Sequence, residues 1–470
     1  MTCTQCFFMG RILSRTEYDK MAVQYSWRFQ TVNKKITCMT LLLIPLLLLS
    51  FVTQSIRHVE AATDLGLNVG AAILIDADTG KILYAQNADE IIGIASISKT
   101  ITEYILLDEI TAGTISWNDT YNMTPNTYVL SQNRTLSNVP LREDGTYEMW
   151  ELYEAMAIYS ANAATVAIAE RISGSEAAFL TRIEEKLKTL GIDDYQMVNV
   201  TGLNNKDLNG FHPAGSATDE NMMSAKSVAI LAYNLLKDHP EVLETASIAE
   251  KTFREGTSDA IIMKNWNLML PGESYAYEGV DGLKTGTTEM AGHSFVGTAE
   301  RDGQRLIAVV LNAKERDGEL VPHTRFVPTK QLFDFGFTQL EEREVVKENE
   351  TFKHAANLPV LNGKEEAVSI ATAANISLVT TEDAVYEPVV TLHTDHLEAP
   401  VKKGTVIGEV VIKRTDGTEH GYIDERELKA DVVTTEDIER SGWLALFFAG
   451  IGSFYEEIWA GVKELTSNIL

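Results

Sequence analysis

The sequence predicts an α+β domain followed by a small all-β domain and a terminal amphipathic helix, and three observations carry that reading. Apolar β-forming segments open and close the region up to Phe337, with helix-periodic segments between them. Beyond Phe337 the pattern changes to short Val/Ile/Thr runs broken by turn residues. From Ser441 to Leu470 the helical period returns.

Taken in order, Val69 to Gln86 (VGAAILIDADTGKILYAQ) reads as two strands around Asp78-Thr79-Gly80, a turn whose glycine supplies positive φ. Thr100 to Glu109 reads as a helix. So do Leu152 to Ile172 and Ser224 to Leu236, where apolar residues recur at three- and four-residue steps. HSFVGTA and RLIAVVLNA around Arg301-Asp302-Gly303 predict a second hairpin. Strands at both ends with helices between imply a sheet that joins distant parts of the chain.

Residues 338–350 (TQLEEREVVKENE) are a charged stretch, and Leu358 to about Ala430 then alternates short strands with Asn-Gly, Lys-Lys-Gly and Asp-Gly turns. That pattern predicts a small β sandwich or barrel, with a domain boundary near 345. In the final segment Leu444, Phe447, Phe448, Ile451, Tyr455, Ile458, Val462, Leu465 and Ile469 follow the helical period, while Glu456, Glu457, Lys463 and Glu464 fall on other faces. Trp443 and Trp459 suit a helix lying in a membrane interface. The competing reading is a helix packed back on the β domain; the acidic residues give it no attraction to anionic lipid, so apolar burial has to supply the binding.

The 470 residues are 45% hydrophobic and 23% charged, which excludes disorder and a polytopic membrane protein. A formal charge of −27 opposes nucleic acid as a partner. Met39 to Thr53 is an apolar run behind Lys34 and Lys35, shorter than a bilayer span, with Val59 and Ala61 suiting the −3 and −1 positions of a cleavage site. It reads as a secretory signal within residues 1–61. The preceding stretch is long for such a signal, which leaves Met21 as an alternative start. Cleavage would remove Cys3, Cys6 and Cys38, the chain's three cysteines, and leave no disulfide or cysteine metal site.

Three short motifs can carry chemistry. In Ser96-Ile97-Ser98-Lys99, just ahead of a helix, Ser96 and Lys99 lie one turn apart on one face, so the lysine amine can reach the hydroxyl. A serine needs a base to become a nucleophile, and a lysine serves only when burial or a nearby cation lowers its pKa. Ser160-Ala161-Asn162 interrupts a helical pattern with polar groups. Lys284-Thr285-Gly286 follows Gly279-Val280-Asp281-Gly282, and on a strand it sets a cation beside a bare backbone position open to a substrate chain. Each has a plain structural alternative: an exposed helix start, a helix cap, a solvent-facing strand lysine.

Together and in this order, SxxK, SxN and KTG are the signature of penicillin-binding proteins and class A β-lactamases. The chain resembles the low-molecular-mass penicillin-binding proteins, serine D-alanyl-D-alanine carboxypeptidases, along nearly its whole length, including TRFVPTKQLFDFGF and LEAPVKKGTVIGEVVIK. The resemblance implies a penicillin-recognising, β-lactamase-like catalytic domain at 62–345, with an antiparallel sheet and helices. A β domain at 346–440 and a membrane-anchoring helix at 441–470 follow. It implies Ser96 as nucleophile, Lys99 as base, Ser160 as proton relay and Asn162 as a hydrogen-bonding support. Lys284, Thr285, Gly286, Thr287 and Arg325 would bind the substrate, with the Ser96 and Thr287 backbone N–H groups as the oxyanion hole. No metal or other cofactor is implied. The partners implied are stem peptides ending in D-Ala-D-Ala, β-lactam antibiotics and, through the last helix, the outer face of the cytoplasmic membrane.

Two residues depart from common family text, Ala163 after SAN and Thr287 after KTG. His212 and His293, the histidines nearest the motifs, read as a loop and a strand residue without a catalytic part. A class A β-lactamase would need Glu-x-x-Leu-Asn after SxN, absent between Ser160 and Lys284. A transpeptidase shares the acylation step, and an inactive wall-binding protein is the non-enzymatic alternative.

Overall fold

The structure, a computed structural model, describes residues 64–314, 321–352, 357–445, 447, 451, 458, 459 and 463. The signal segment and the three cysteines lie outside the described residues. Strands β1 (Ala71–Asp76) and β2 (Ile82–Gln86) form the opening hairpin. Helices follow: α1 (Lys99–Thr111), α2 (Pro125–Ser131), α3 (Met149–Tyr159), α4 (Asn162–Ser173), α5 (Glu176–Thr189), α6 (Ala225–Asp238) and α7 (Val242–Ala246). A small hairpin, β3 (Glu250–Phe253) and β4 (Ile261–Lys264), leads to the long strands β5 (Val280–Thr288), β6 (Gly292–Arg301) and β7 (Gln304–Ala313). Helix α8 (Phe326–Gln339) closes the region.

The central sheet is antiparallel in the order β5-β6-β7-β1-β2, so the two hairpins expected from the sequence meet along β1 and β7. Both faces of β1 are buried, and successive residues serve different cores. Ile73 and Ile75 pack with Ile307, Val309 and the helical region, whereas Ala72 and Leu74 pack with Leu306, Ala308 and Phe333 of α8. The period-2 alternation of a strand thus feeds two apolar layers from one segment.

The helical stretch expected at 152–172 is divided. Ser160 takes a left-handed conformation (φ 59°) that ends α3, and Asn162 begins α4. That break turns the polar SAN triplet towards the sheet rather than along a helix face.

The charged stretch after Phe337 contains β8 (Glu341–Val346). Beyond it come β9 (Asn357–Leu361), β10 (Ala367–Thr372), β11 (Ile376–Thr380), β12 (Tyr386–Leu392), β13 (Leu397–Glu398), β14 (Val406–Arg414) and β15 (Lys429–Thr434). A six-stranded sheet, β12-β14-β15-β10-β9-β13, and the pair β8-β11 enclose a core of Val368, Ile370, Val410 and Val432. This part docks on the first hairpin's turn. Ile82 N–H donates to Gly421 O and Ile423 N–H to Gly80 O, each at 3.0 Å, and Lys81 is paired with Glu419. Ile423 is buried in the same apolar core as Ile73, Ile101 and Val309.

Of the last segment, Trp443, Leu444, Phe447, Ile451, Ile458 and Trp459 are helical and exposed. Most of the rest lies outside the described residues. Among the described residues no helix is long and apolar enough to cross a membrane.

Candidate active site

Ser96 sits on a one-turn 3-10 helix, Ala95–Ser98, that runs directly into α1. The turn is entered through Ala95 at φ +49°, a conformation that costs a non-glycine residue about 1–2 kcal/mol. Neighbouring groups hold it there. Ser98 Oγ donates to Ala95 O at 2.7 Å and accepts from Asn221 Nδ2 at 2.9 Å. Gly202 packs so closely that a Cβ there would stand 1.9 Å from Ala95 O.

Lys99, 1% exposed, places its side-chain nitrogen within hydrogen-bond reach of three oxygens: Ser96 Oγ at 2.9 Å, Asn162 Oδ1 at 2.8 Å and Thr201 O at 2.6 Å. Burial, and secondarily the charge of Lys284, hold this amine well below the usual lysine range. Asn162 is itself fixed, its Nδ2 donating to Ser137 O at 3.0 Å. The helix spacing of SxxK and the break at Ser160 therefore meet at one nitrogen.

On the other side, Lys284 of β5 donates to Ser160 Oγ at 2.9 Å and to Thr285 O at 3.1 Å. Burial lowers its pKa to about 7, with the Glu103 carboxylate opposing the shift and Arg325 adding to it. The bare position at Gly286 does not face a substrate chain as the sequence suggested. A Cβ there would lie 2.5 Å from Ile94 O and 3.2 Å from Ala95 Cβ, so the glycine lets β5 lie against the turn that carries Ser96.

Arg325, on the 3-10 turn ahead of α8, is buried against the end of β5. Its Nη1 donates to Gly286 O (2.8 Å) and Ser294 O (2.9 Å), and its Nη2 to Thr287 Oγ1 (2.6 Å) and His293 Nδ1 (2.8 Å). Burial lowers its pKa to about 10. These four bonds hold the guanidinium at the ends of β5 and β6, at the wall of the cleft. His293 Nδ1 accepts from an arginine and so carries its ring proton on Nε2. The Thr287 hydroxyl accepts from Arg325 and stands 3.3 Å from the same His293 Nδ1, which is the acceptor its own hydrogen faces.

Ser96, Ser160, Thr285, Thr287, His293 and Arg325 line one cleft of about 680 Å³, with Lys99 bonded to Ser96 and Lys284 to Ser160 behind them. Tyr159, Ile262, Trp266, Leu268 and Phe326 form its apolar wall, where Trp266 Nε1 donates to Tyr159 O at 3.1 Å. His212 stays in a loop and does not line the cleft. His293 does line it, from the strand position the sequence predicted. It pairs with Thr287 across the β5-β6 hairpin, a register that counting back from the turn could have suggested. Trp266, the Thr201 carbonyl and Glu103 carried no motif signal.

A serine whose hydroxyl touches a buried, readily deprotonated lysine, beside a cationic strand edge, defines a serine acyl-transfer site on an α+β scaffold. The family model described as D-alanyl-D-alanine carboxypeptidase matches residues 58–315, and that described as Penicillin-binding protein 5, C-terminal domain, matches residues 340–440. The chain belongs to the D-alanyl-D-alanine carboxypeptidase family. It is 29% identical over 418 residues to the D-alanyl-D-alanine carboxypeptidase DacF of Bacillus subtilis, covering 88% of this chain and 97% of that one. It is 28% identical over 388 residues to DacC of Escherichia coli, another D-alanyl-D-alanine carboxypeptidase, covering 82% and 86%. A crystal structure of a peptidoglycan synthesis regulatory factor from Streptococcus pneumoniae matches with a TM-score of 0.61 at 35% identity, over 79% of this chain and all of that one.

Proposed function

We propose that the protein is a serine D-alanyl-D-alanine carboxypeptidase that trims the terminal D-alanine from peptidoglycan stem peptides, and that penicillins acylate it at the same residue. The observation that carries this reading is the 2.9 Å contact between Lys99 Nζ and Ser96 Oγ, with the lysine buried beside a second cation. Neutral Lys99 takes the Ser96 proton as Oγ bonds to the carbonyl carbon between the two D-alanines. The backbone N–H groups of Ser96 and Thr287 receive the negative charge on the carbonyl oxygen.

Ser160, bonded to Lys284, relays the proton held by the Lys99 ammonium to the amine nitrogen as the C–N bond breaks and D-alanine leaves, which returns Lys99 to the free amine. Water then attacks the ester, with Lys99 again accepting a proton, and Ser96 is regenerated. Lys284, Thr285 and Arg325 bind the terminal carboxylate, and Thr287 helps to hold the Arg325 guanidinium in place. Asn162 holds Lys99 in line.

The proposal includes the division into a catalytic domain at 62–345, a β domain at 346–440 that lifts it from the membrane, and an anchor at 441–470. The exposed Trp443, Phe447, Ile458 and Trp459 support an interfacial helix, which would hold the exported protein at the outer face of the cytoplasmic membrane. Release of free D-alanine from a peptide ending in D-Ala-D-Ala tests the activity: the full chain releases it and Ser96→Ala does not. Equal release by both overturns the proposal.

A further inference from the structure

Beneath the cleft lies a charged group that the reaction scheme above does not use. Glu103 is 5% exposed, and its Oε1 has no hydrogen-bond partner. It stands four residues after Lys99 on α1, hence on the same face one turn further from Ser96. Beside it is the hydroxyl of Tyr153, on the helix α3 that ends at Ser160.

A buried carboxylate with an unpartnered oxygen is costly unless a cation shares its surroundings. The cation that does is Lys284, whose charge favours the ionised carboxylate, just as the carboxylate favours the ammonium. Burial pushes Glu103 up to about 7, with the Tyr153 hydroxyl and Lys284 opposing the rise. Of the groups around it, Tyr153 is held neutral, mainly by burial, and feels Glu241 as well as Glu103. Arg325 acts on Lys284 as a second cation. The two lysines are thus not equivalent: Lys284 has a buried counter-charge, whereas Lys99 has burial and Lys284 against it.

We propose that Glu103 is a positioning residue for the site's proton: its buried carboxylate keeps Lys284 as the ammonium and so leaves Lys99 as the free amine. When the lysine pair holds one proton, acylation needs it on Lys284, where it binds the substrate carboxylate, and not on Lys99, the base. Without the negative charge the partition shifts towards Lys99, and the pair loses its last proton at lower pH. This rests on the carboxypeptidase reading.

The test is the pH profile of kcat/KM for D-alanine release by the full chain from a peptide ending in D-Ala-D-Ala. Glu103→Gln keeps the shape and removes the charge. It is expected to lower the plateau by about tenfold and to move the alkaline limb down by about one pH unit. Glu103→Asp restores the limb towards the parent position. Tyr153→Phe, which removes the hydroxyl that favours the carboxylate, shifts the limb in the same direction as Glu103→Gln but less. A Glu103→Gln limb that coincides with the parent's overturns the proposal, because loss of packing alone scales the profile without moving it. If Glu103→Gln does not fold, Tyr153→Phe decides, and its unmoved limb overturns the proposal. A parent chain that releases no D-alanine instead overturns the carboxypeptidase reading, and this inference with it.

Discussion

Lys99 Nζ reaches Ser96 Oγ at 2.9 Å while bonded to Asn162 Oδ1 and the Thr201 carbonyl, so one nitrogen ties the SxxK turn to the SAN break and to the loop at Thr201. The base is positioned by groups from three separate stretches of chain. Its geometry survives only while all three hold.

Replacement of this amine is the sharpest chemical test. Lys99→Met removes the base, and Lys99→Arg substitutes a group that stays protonated. Both are expected to slow D-alanine release by about 10²–10⁴-fold. Asn162→Ala is expected to slow it by about tenfold, by freeing Lys99 to rotate. Steady-state release assays on the purified variants check all three.

Lys284 links activity to stability. Its pKa in the folded chain is about 7, below its ordinary 10.5, so between those values the unfolded chain binds more protons than the folded one. Keeping this lysine buried is therefore a cost at neutral pH that disappears as pH rises towards 10.5. The parent should gain stability relative to Lys284→Met between about pH 7 and 10, read as a change in their Tm difference. A Tm difference independent of pH contradicts the lowered pKa.

Gly286 lies against the Ser96 turn, and Gly286→Ala tests that contact. A Cβ placed 2.5 Å from Ile94 O forces β5 away from the nucleophile while leaving its pairing with β6 intact. D-alanine release is expected to fall about 100-fold, with Tm lowered by only a few degrees. Gly202→Ala, at φ +72° and 1.9 Å from Ala95 O, is expected to lower Tm by more, and thermal melts of the two variants separate the effects.

The β domain is docked through a small apolar and ionic clasp. Ile423 is buried in the catalytic core, and Lys81 pairs with Glu419. Ile423→Asp buries a charge without a partner and should separate the two domains. Calorimetry is expected to show two unfolding transitions in the variant where the parent shows one.

Much of this architecture was legible in the sequence because it is local. The turn at Asp78-Thr79-Gly80, the hairpin at Arg301-Asp302-Gly303 and the helix after SISK each carry their own signal within a few residues. The order of SxxK, SxN and KTG marked the cleft. What stayed hidden depends on contacts between distant segments. Glu103 falls in a helical text where a glutamate ordinarily faces water, and nothing local shows that it is buried with one oxygen unpartnered. Gly286 looked like a substrate-facing position because nothing local shows that Ile94 lies against it. The role of His293 depends on Arg325, 32 residues away, reaching its ring. Docking of Ile423 on the first hairpin spans most of the catalytic region and has no periodic signature.

Intact-mass analysis of the full chain incubated with a penicillin, followed by peptide mapping, reads out Ser96 as the nucleophile without relying on turnover. An added mass equal to the whole drug is expected, confined to the peptide containing Ser96 and absent from Ser96→Ala. An unmodified chain, or an adduct on any other peptide, contradicts it.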